Sequence, residues 1–168
     1  MLFKEYLEQN VISEINESSM TRDEFVSRIE KSFLKYFPNG ELHSSGSALG
    51  GDKSIFFYGA LGGWKVTRQN DPLSIDAWIH DGVDENGLMK DKITLEWNSS
   101  SLSVNPPEGS YLVMDSVKLG FRKKSGTPEQ VLKAIDNSFK KAAKIVKENI
   151  DNIYGVDKID SKHLVIKG

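Results

Sequence analysis

The hydrophobic pattern of this chain changes its period twice, and this change restricts the fold more than any other feature. Apolar residues recur at helical spacing in residues 2–37, alternate with polar residues in 41–124, and return to helical spacing in 127–154. A period near 3.6 is typical of an amphipathic helix, and a period of two is typical of a half-buried strand. We therefore predict an α+β fold in which helices flank a central sheet.

Two helices are predicted before the sheet. The first covers residues 2–16. The second begins at a capping box, in which the Thr21 hydroxyl accepts from the N–H of Glu24 and the Glu24 carboxylate accepts from the N–H of Thr21. Pro38 ends this helix, because proline clashes with a continuing helical turn. Residues 2–37 are therefore expected to form a helical hairpin.

The sheet is predicted to be antiparallel, with five or six strands, because its connections are short and rich in Gly, Asn, Asp and Pro. Each strand has one apolar and one mixed face, so we expect one face of the sheet to pack on helices. The strands are expected at residues 54–58, 63–68, 73–80, 92–97, 101–104 and 111–122. The tail also has the pattern of a short edge strand at 162–167.

A long C-terminal helix is predicted over 127–154. It opens with a second capping box, formed by Thr127 and Gln130, and has Pro128 at its first position. Its apolar residues form one stripe and its lysines lie mostly off that stripe, so the helix is expected to pack on the sheet with a cationic side outward. No linker or repeat divides the chain, and we predict a single domain over 1–168.

Composition excludes several classes of function. A chain of 168 residues can form a core without a metal or a disulfide, and the absence of cysteine excludes thiol catalysis and Cys-ligated zinc. The 3 histidines lie at no metal-binding spacing, so we expect no metal and no cofactor. No apolar run is long enough to span a membrane, and the first ten residues lack the pattern of a signal peptide. We therefore expect a cytoplasmic protein with no membrane partner.

Two familiar motifs are incomplete, and a third is complete but is interpreted as local structure. The glycine-rich segment 46–54 fails as a P-loop because Asp52 disturbs the required spacing. The connection 81–91 contains Asn86-Gly87, a turn signal, and lacks the first and twelfth ligands of a calcium loop. Asn98-Ser-Ser matches a glycosylation pattern and is interpreted as a polar turn.

Charge is unevenly distributed along the chain. Residues 1–117 carry a net charge of −8, whereas residues 118–147 contain nine basic and two acidic residues, a net charge of +7. The candidate electrostatic binding residues are Lys118, Arg122, Lys123, Lys124, Lys133, Lys140, Lys141, Lys144 and Lys147. If they are adjacent, they can bind the phosphates of a nucleic acid with little sequence preference. The alternative is a solvated helix face, or one that docks on an acidic protein or a second copy of the chain.

A second candidate site lies on one predicted strand, where Asp76, Trp78 and His80 project from the same side. A tryptophan on the outer face of a sheet can stack on a sugar, a base or a partner side chain. The alternative is that the second face of the sheet is covered, which would make Trp78 part of a core and the two polar residues its rim. Asp115, in an otherwise apolar strand position, is either a buried carboxylate or is turned outward by a β-bulge near 114–116.

These patterns favour a non-catalytic binding protein, because each catalytic motif lacks a residue that its mechanism requires. The expected partner is another protein, whose surface the chain covers as a regulator or inhibitor, and a homo-oligomer stays open. The first alternative is a nucleic-acid-binding protein that uses residues 118–147. The second is a small enzyme that uses Asp76, His80 or Asp115, which requires at least two of them within hydrogen-bond reach, directly or through one water.

Overall fold

The computed structural model describes residues 20–45, 53–63, 73–104, 111–112 and 116–149. In these ranges the chain forms an antiparallel sheet and two helices, which confirms the α+β class. The elements in chain order are α1 (Arg22–Tyr36), β1 (Glu41–Ser45), β2 (Ile55–Ala60), β3 (Leu73–Ile79), β4 (Ile93–Val104), β5 (Tyr111–Leu112), β6 (Lys123–Gly126) and α2 (Pro128–Glu148). The helix expected at 2–16, the glycine-rich segment at 46–52, Asp115 and the edge strand expected at 162–167 lie outside the described residues.

The sheet follows the chain order from β1 to β5, and β6 also pairs with β4. The long strand β4 has room for both neighbours, since β6 pairs with residues 93–96 and β5 with residues 103–104. β6 therefore brings the start of α2 beside the start of β4.

β4 corrects the sequence-based expectation of two strands separated by a polar turn. Residues 98–100 continue the strand, so the interpretation of Asn98-Ser-Ser as a turn is wrong. Asp76 lies opposite Ser99 and Ala77 lies opposite Trp97, which leaves Asn98 as one extra residue in β4. Such a bulge absorbs polar residues within a strand and resets which side chains share a face.

The strand expected over 111–122 is interrupted. Residues 111–112 form β5, but residues 116–120 form a turn in which Gly120 has a positive φ of 108°. A positive φ is easily adopted only by glycine, so Gly120 marks the turn that the apolar alternation concealed. The structure also adds β1, whose polar sequence at 41–45 gave little sign of a strand.

Both helices begin where the sequence predicts. Thr21 with Glu24, and Thr127 with Gln130, form the two capping boxes through reciprocal hydrogen bonds of 3.1–3.2 Å. α2 is shorter than expected, because its C-cap is Asn149, whose N–H and side-chain amide both donate to the carbonyl of Ile145.

The connection between β3 and β4 forms the expected turn. One Asp84 carboxylate oxygen accepts from the N–H groups of Asn86 and Leu88, and Gly87 has a φ of 78°. This connection also holds the start of α1, since the N–H of Arg22 donates to the carbonyl of Gly87.

The two helices pack side by side and run parallel on one face of the sheet. Phe139 of α2 is fully buried between Phe33 of α1 and Trp97 of β4, with ring centroids 5.4 Å and 6.2 Å away. The Phe33 ring also lies over Gly59 of β2, where a Cβ atom would come within 2.9 Å of it. The strand residues on this core face are Ile55, Phe57, Ile75, Ala77, Ile79, Ile93, Leu95 and Trp97. We call the opposite side of the sheet the second face.

Candidate functional site

The second face carries a row of cross-strand neighbours that spans four strands. Phe56 of β2 lies opposite Trp78 of β3, Trp78 lies opposite Glu96 of β4, and Glu96 lies opposite Lys123 of β6. Directly opposed residues have Cβ atoms about 5 Å apart, so each side chain can contact the next. Phe56 and Trp78 are half-buried, and Tyr58, two positions along β2, is half-buried as well.

Glu96 connects the aromatic and the basic parts of this row. The Trp78 indole Nε1 donates to Glu96 Oε2 at 3.2 Å. Arg122 Nε lies 3.6 Å from Glu96 Oε1, and Lys123 Nζ lies 3.6 Å from Glu96 Oε2. The Glu96 side chain is 19% exposed, whereas those of Arg122 and Lys123 are 74% and 62% exposed. The Glu96 carboxylate thus holds the Trp78 indole by a hydrogen bond, and both cations stay mostly exposed to solvent.

The protonation of Glu96 follows from the same contacts. The hydrogen bond from Trp78 and the charges of Lys123 and Arg122 hold the pKa of Glu96 below its usual value, although burial acts in the opposite direction. Glu96 is therefore ionised at neutral pH, and it can accept all three interactions at once.

The predicted trio occupies three different environments. Asp76 is only 7% exposed, Trp78 is half-buried, and His80 is exposed. The Trp78 and His80 rings contact each other, with centroids 4.9 Å apart. The alternative predicted a buried Trp78 with Asp76 and His80 at its rim. The order of burial is the opposite for Asp76, which is more buried than Trp78.

Asp76 and His80 are not brought together. Four positions along an extended strand separate their Cα atoms by about 13 Å, and the Trp78 position lies between them. Asp76 instead lies opposite Tyr58 of β2 and Ser99 of β4. Asp76 and His80 therefore do not lie within hydrogen-bond reach of each other, directly or through one water.

The predicted basic tract is divided by the sheet. Arg122 and Lys123 belong to the second face through Glu96, whereas α2 packs on the core face. Lys124 lies opposite Leu95 on the edge strand and is exposed. The nine basic residues therefore belong to at least two separate surfaces. Arg122 and Lys123, which are paired with Glu96, lie on the second face.

The α2 lysines lie on the outer side of the helix layer, and all of them are exposed. Lys133, Lys140, Lys144 and Lys147 occupy positions separated by seven, four and three residues, which places them on one helical stripe. We call these four residues the lysine ridge. Lys141 lies beside the stripe and reaches Gly120, where its Nζ would lie 2.8 Å from an added Cβ atom.

Sequence reasoning missed Phe56, Tyr58 and Glu96 as members of the site. The run Ile55-Phe56-Phe57-Tyr58 is apolar or aromatic throughout, so its two faces could not be distinguished by polarity. Their burial differs in the structure, since Ile55 and Phe57 are fully buried and the other two are not. The one signal that could have identified Glu96 was its pairing with Trp78 on the neighbouring strand. That pairing depends on the register of the two strands, which the sequence pattern does not give.

In the ranges that the structure describes, no group of three or more His, Asp or Glu side chains could hold a metal ion. Neither helix described for this chain has the length and apolarity that crossing a bilayer requires.

No protein-family model, curated protein or solved structure matches this chain.

Proposed function

We propose that this chain is a non-catalytic binding protein that engages a protein partner through the second face of its sheet. The binding surface, which we call the Trp78 patch, consists of Phe56, Tyr58, Trp78, Arg122 and Lys123. One observation carries the proposal: the half-buried Trp78 is hydrogen-bonded to Glu96, and the same carboxylate is paired with two exposed cations.

The residue types of the patch are those that contribute most to protein interfaces. Tryptophan, tyrosine and arginine are enriched among the residues whose truncation costs the most binding energy. The Glu96 contact restricts the orientation of the indole before binding, so less side-chain entropy is lost when the partner covers it. This arrangement supports a surface that is preorganised for association.

The charges of the patch define the chemistry of the partner. Arg122 and Lys123 bring two positive charges to one Glu96, and both side chains remain mostly exposed. A complementary partner presents an apolar side chain above Trp78 and Phe56, with a carboxylate on the side of Arg122 and Lys123. A regulator or inhibitor that covers a partner's acidic, partly apolar surface fits this chemistry.

The proposal is tested by capturing partners from a nuclease-treated lysate with the wild-type chain and with two variants, Trp78→Ala and Arg122→Glu. Any protein enriched by the wild type is then purified and its affinity measured by calorimetry. We expect Trp78→Ala to weaken binding at least about 30-fold, the factor that corresponds to 2 kcal/mol. Arg122→Glu should mainly slow association and make it less salt-dependent.

Two control variants match these changes away from the patch. Leu34→Ala removes an exposed apolar side chain from α1, and Lys92→Glu reverses an exposed charge before β4. Both should bind like the wild type. Equal capture by the wild type and Trp78→Ala would contradict the proposal. A dimer of the purified chain that Trp78→Ala dissociates would identify a second copy as the occupant instead.

A further inference from the structure

We infer that the lysine ridge of α2 is a second binding surface, and that it binds the phosphate backbone of a nucleic acid. The ridge lies on the helix layer, on the other side of the sheet from the Trp78 patch, and the inference does not rest on the proposed function. It rests on the spacing of the lysines, on the position of the nearby acids and on the absence of exposed apolar side chains from α2 in the described part of the chain.

The ridge is a row of four lysines on one helical stripe. Its four lysines extend over fifteen residues of one helix, or about 21 Å at the usual helical rise. All four side chains are exposed. A row of this length can contact several successive phosphates at once, because a nucleic-acid strand advances only a few ångströms per nucleotide.

The acids beside the ridge are already engaged by α1. Both Glu129 carboxylate oxygens accept from the Arg28 guanidinium, one of them at 2.8 Å. Asp136 accepts from the hydroxyls of Ser32 at 2.6 Å and Tyr36 at 3.0 Å, and Lys35 Nζ lies 3.7 Å from it. These two carboxylates serve the helix–helix contact. Both lie one helical turn from Lys133, so the positive charge is concentrated in the C-terminal half of the ridge.

At the C-terminal end of α2, Glu148 approaches the ridge. Lys144 Nζ lies 3.9 Å from Glu148 Oε1, and both side chains are mostly exposed, so solvent and salt screen this pair. Lys141 adds a further cation beside Lys144, and Lys118 lies in the turn that Lys141 reaches at Gly120. The C-terminal half of α2 is thus strongly positive.

The composition of the ridge favours a polyanion over a protein. Stable protein interfaces are built around buried apolar anchors. In the described ranges only Leu34 and Val117 are exposed large hydrophobic residues, and neither belongs to α2. Binding to a phosphate backbone needs no such anchor, because its main driving force is the release of condensed counterions. Lysines act as point charges toward phosphate, so we expect little base specificity.

The test is a fluorescence-anisotropy titration of the full chain against labelled 20-nucleotide random-sequence probes, one duplex DNA and one single-stranded RNA. Four contacts predict that affinity for the duplex falls about 100-fold between 50 and 200 mM salt, with a log–log slope of about −3.6. Binding of either probe with this behaviour supports the inference, and their ratio shows which backbone is preferred.

The ridge is tested by Lys140→Glu combined with Lys144→Glu. We expect affinity at 50 mM salt to fall at least about 10-fold and the slope to flatten by about two units. Lys140→Gln combined with Lys144→Gln should give a smaller loss. A control that reverses Lys53 and Lys92 to Glu changes the net charge equally, but both residues are exposed at the end of the sheet where α2 begins. This control should retain nearly wild-type affinity.

Several results would overturn the inference. They are absence of binding at 50 mM salt, equal loss in the ridge and control variants, or equally tight binding of poly-glutamate. Circular dichroism and thermal melting of each variant separate loss of binding from loss of folding. Trp78→Ala should leave these titrations unchanged, so failure of the ridge and failure of the Trp78 patch can be distinguished.

Discussion

The Trp78 patch and the lysine ridge are both basic, but their cations face different groups inside the molecule. Arg122 and Lys123 are paired with Glu96, which also holds an aromatic ring in place. Near the ridge, the carboxylates of Glu129 and Asp136 are bound by α1, and the lysine side chains are exposed. The two basic surfaces therefore differ in where their counter-charges lie, and the partner proposed for each follows from that difference.

The largest expected effect comes from the residue that connects the two regions. Phe139 is fully buried and joins α2, which carries the ridge, to Trp97 on β4, which carries Glu96. Phe139→Ala should lower the free energy of unfolding by about 3–5 kcal/mol, because it removes a buried ring and leaves a cavity. Urea denaturation measures this loss. A decrease below about 1 kcal/mol, similar to that of an exposed substitution, would mean that the regions do not share this core.

A smaller effect is expected from the carboxylate that distinguishes the patch from the ridge. Glu96→Gln keeps an oxygen that can accept from the Trp78 indole but removes the charge that faces Arg122 and Lys123. We expect a loss of about 1 kcal/mol, since the group is only partly buried. Glu148→Gln on α2, the matched change beside the ridge, should have no measurable effect. Equal losses in both variants would remove the distinction between the two surfaces.

The stability loss in Glu96→Gln has a predictable pH dependence. The pKa of Glu96 is lowered from its usual 4.5, first by the Trp78 hydrogen bond and then by Lys123 and Arg122. The stabilisation is therefore fully present above pH 4.5 and is lost as the pH falls through the lowered pKa of the folded state. The difference in unfolding free energy between wild type and Glu96→Gln should be constant from pH 8 to 6 and shrink below pH 4.5. A constant difference down to pH 3 would contradict this.

The smallest expected effect is a change in the affinity of the lysine ridge for DNA. Arg28→Ala removes the guanidinium that neutralises Glu129, whose pKa this contact holds below its usual value. An unpaired carboxylate near Lys133 should weaken binding of duplex DNA about two-fold at low salt, which is the size expected for one exposed charge. Anisotropy titrations with Lys31→Ala as the matched control measure it. Tighter binding by Arg28→Ala would show that Glu129 does not influence the ridge.

Local signals predicted the helices well and the sheet less well. The capping boxes at Thr21 and Thr127 placed both helix starts, because the cap requires only residues within one turn. The alternation of Ile75, Ala77 and Ile79 placed β3 and its buried face. The break expected after Trp97 was wrong, since a bulge at Asn98 lets β4 continue through polar residues. Pairing with β3 satisfies the backbone hydrogen-bonding groups of these polar residues. A local sequence pattern cannot predict such pairing, because the partner strand is distant in the chain.

The candidate residues were predicted in part and grouped incorrectly. Trp78 was identified because it alternates with apolar neighbours, and the α2 lysines were identified by their density. Arg122 and Lys123 were grouped with those lysines because they are near them in sequence. In the structure the sheet lies between Arg122 and Lys123 on one side and the α2 lysines on the other. Lys123 lies opposite Glu96 on the second face, and within the few residues of β6 the chain crosses to the core face, where α2 begins.

The sequence by itself determined the α+β class, the starts of both helices and the apolar and cationic sides of α2, because each depends on periodicity or contacts within a few residues. Only the tertiary structure decided that Trp78, Glu96 and Arg122 meet. They belong to distant parts of the chain, and the register of β3, β4 and β6 aligns them. Register is fixed by the burial of the whole opposite face, since a shift of one residue would turn Ile79, Leu95 and Trp97 out of the core.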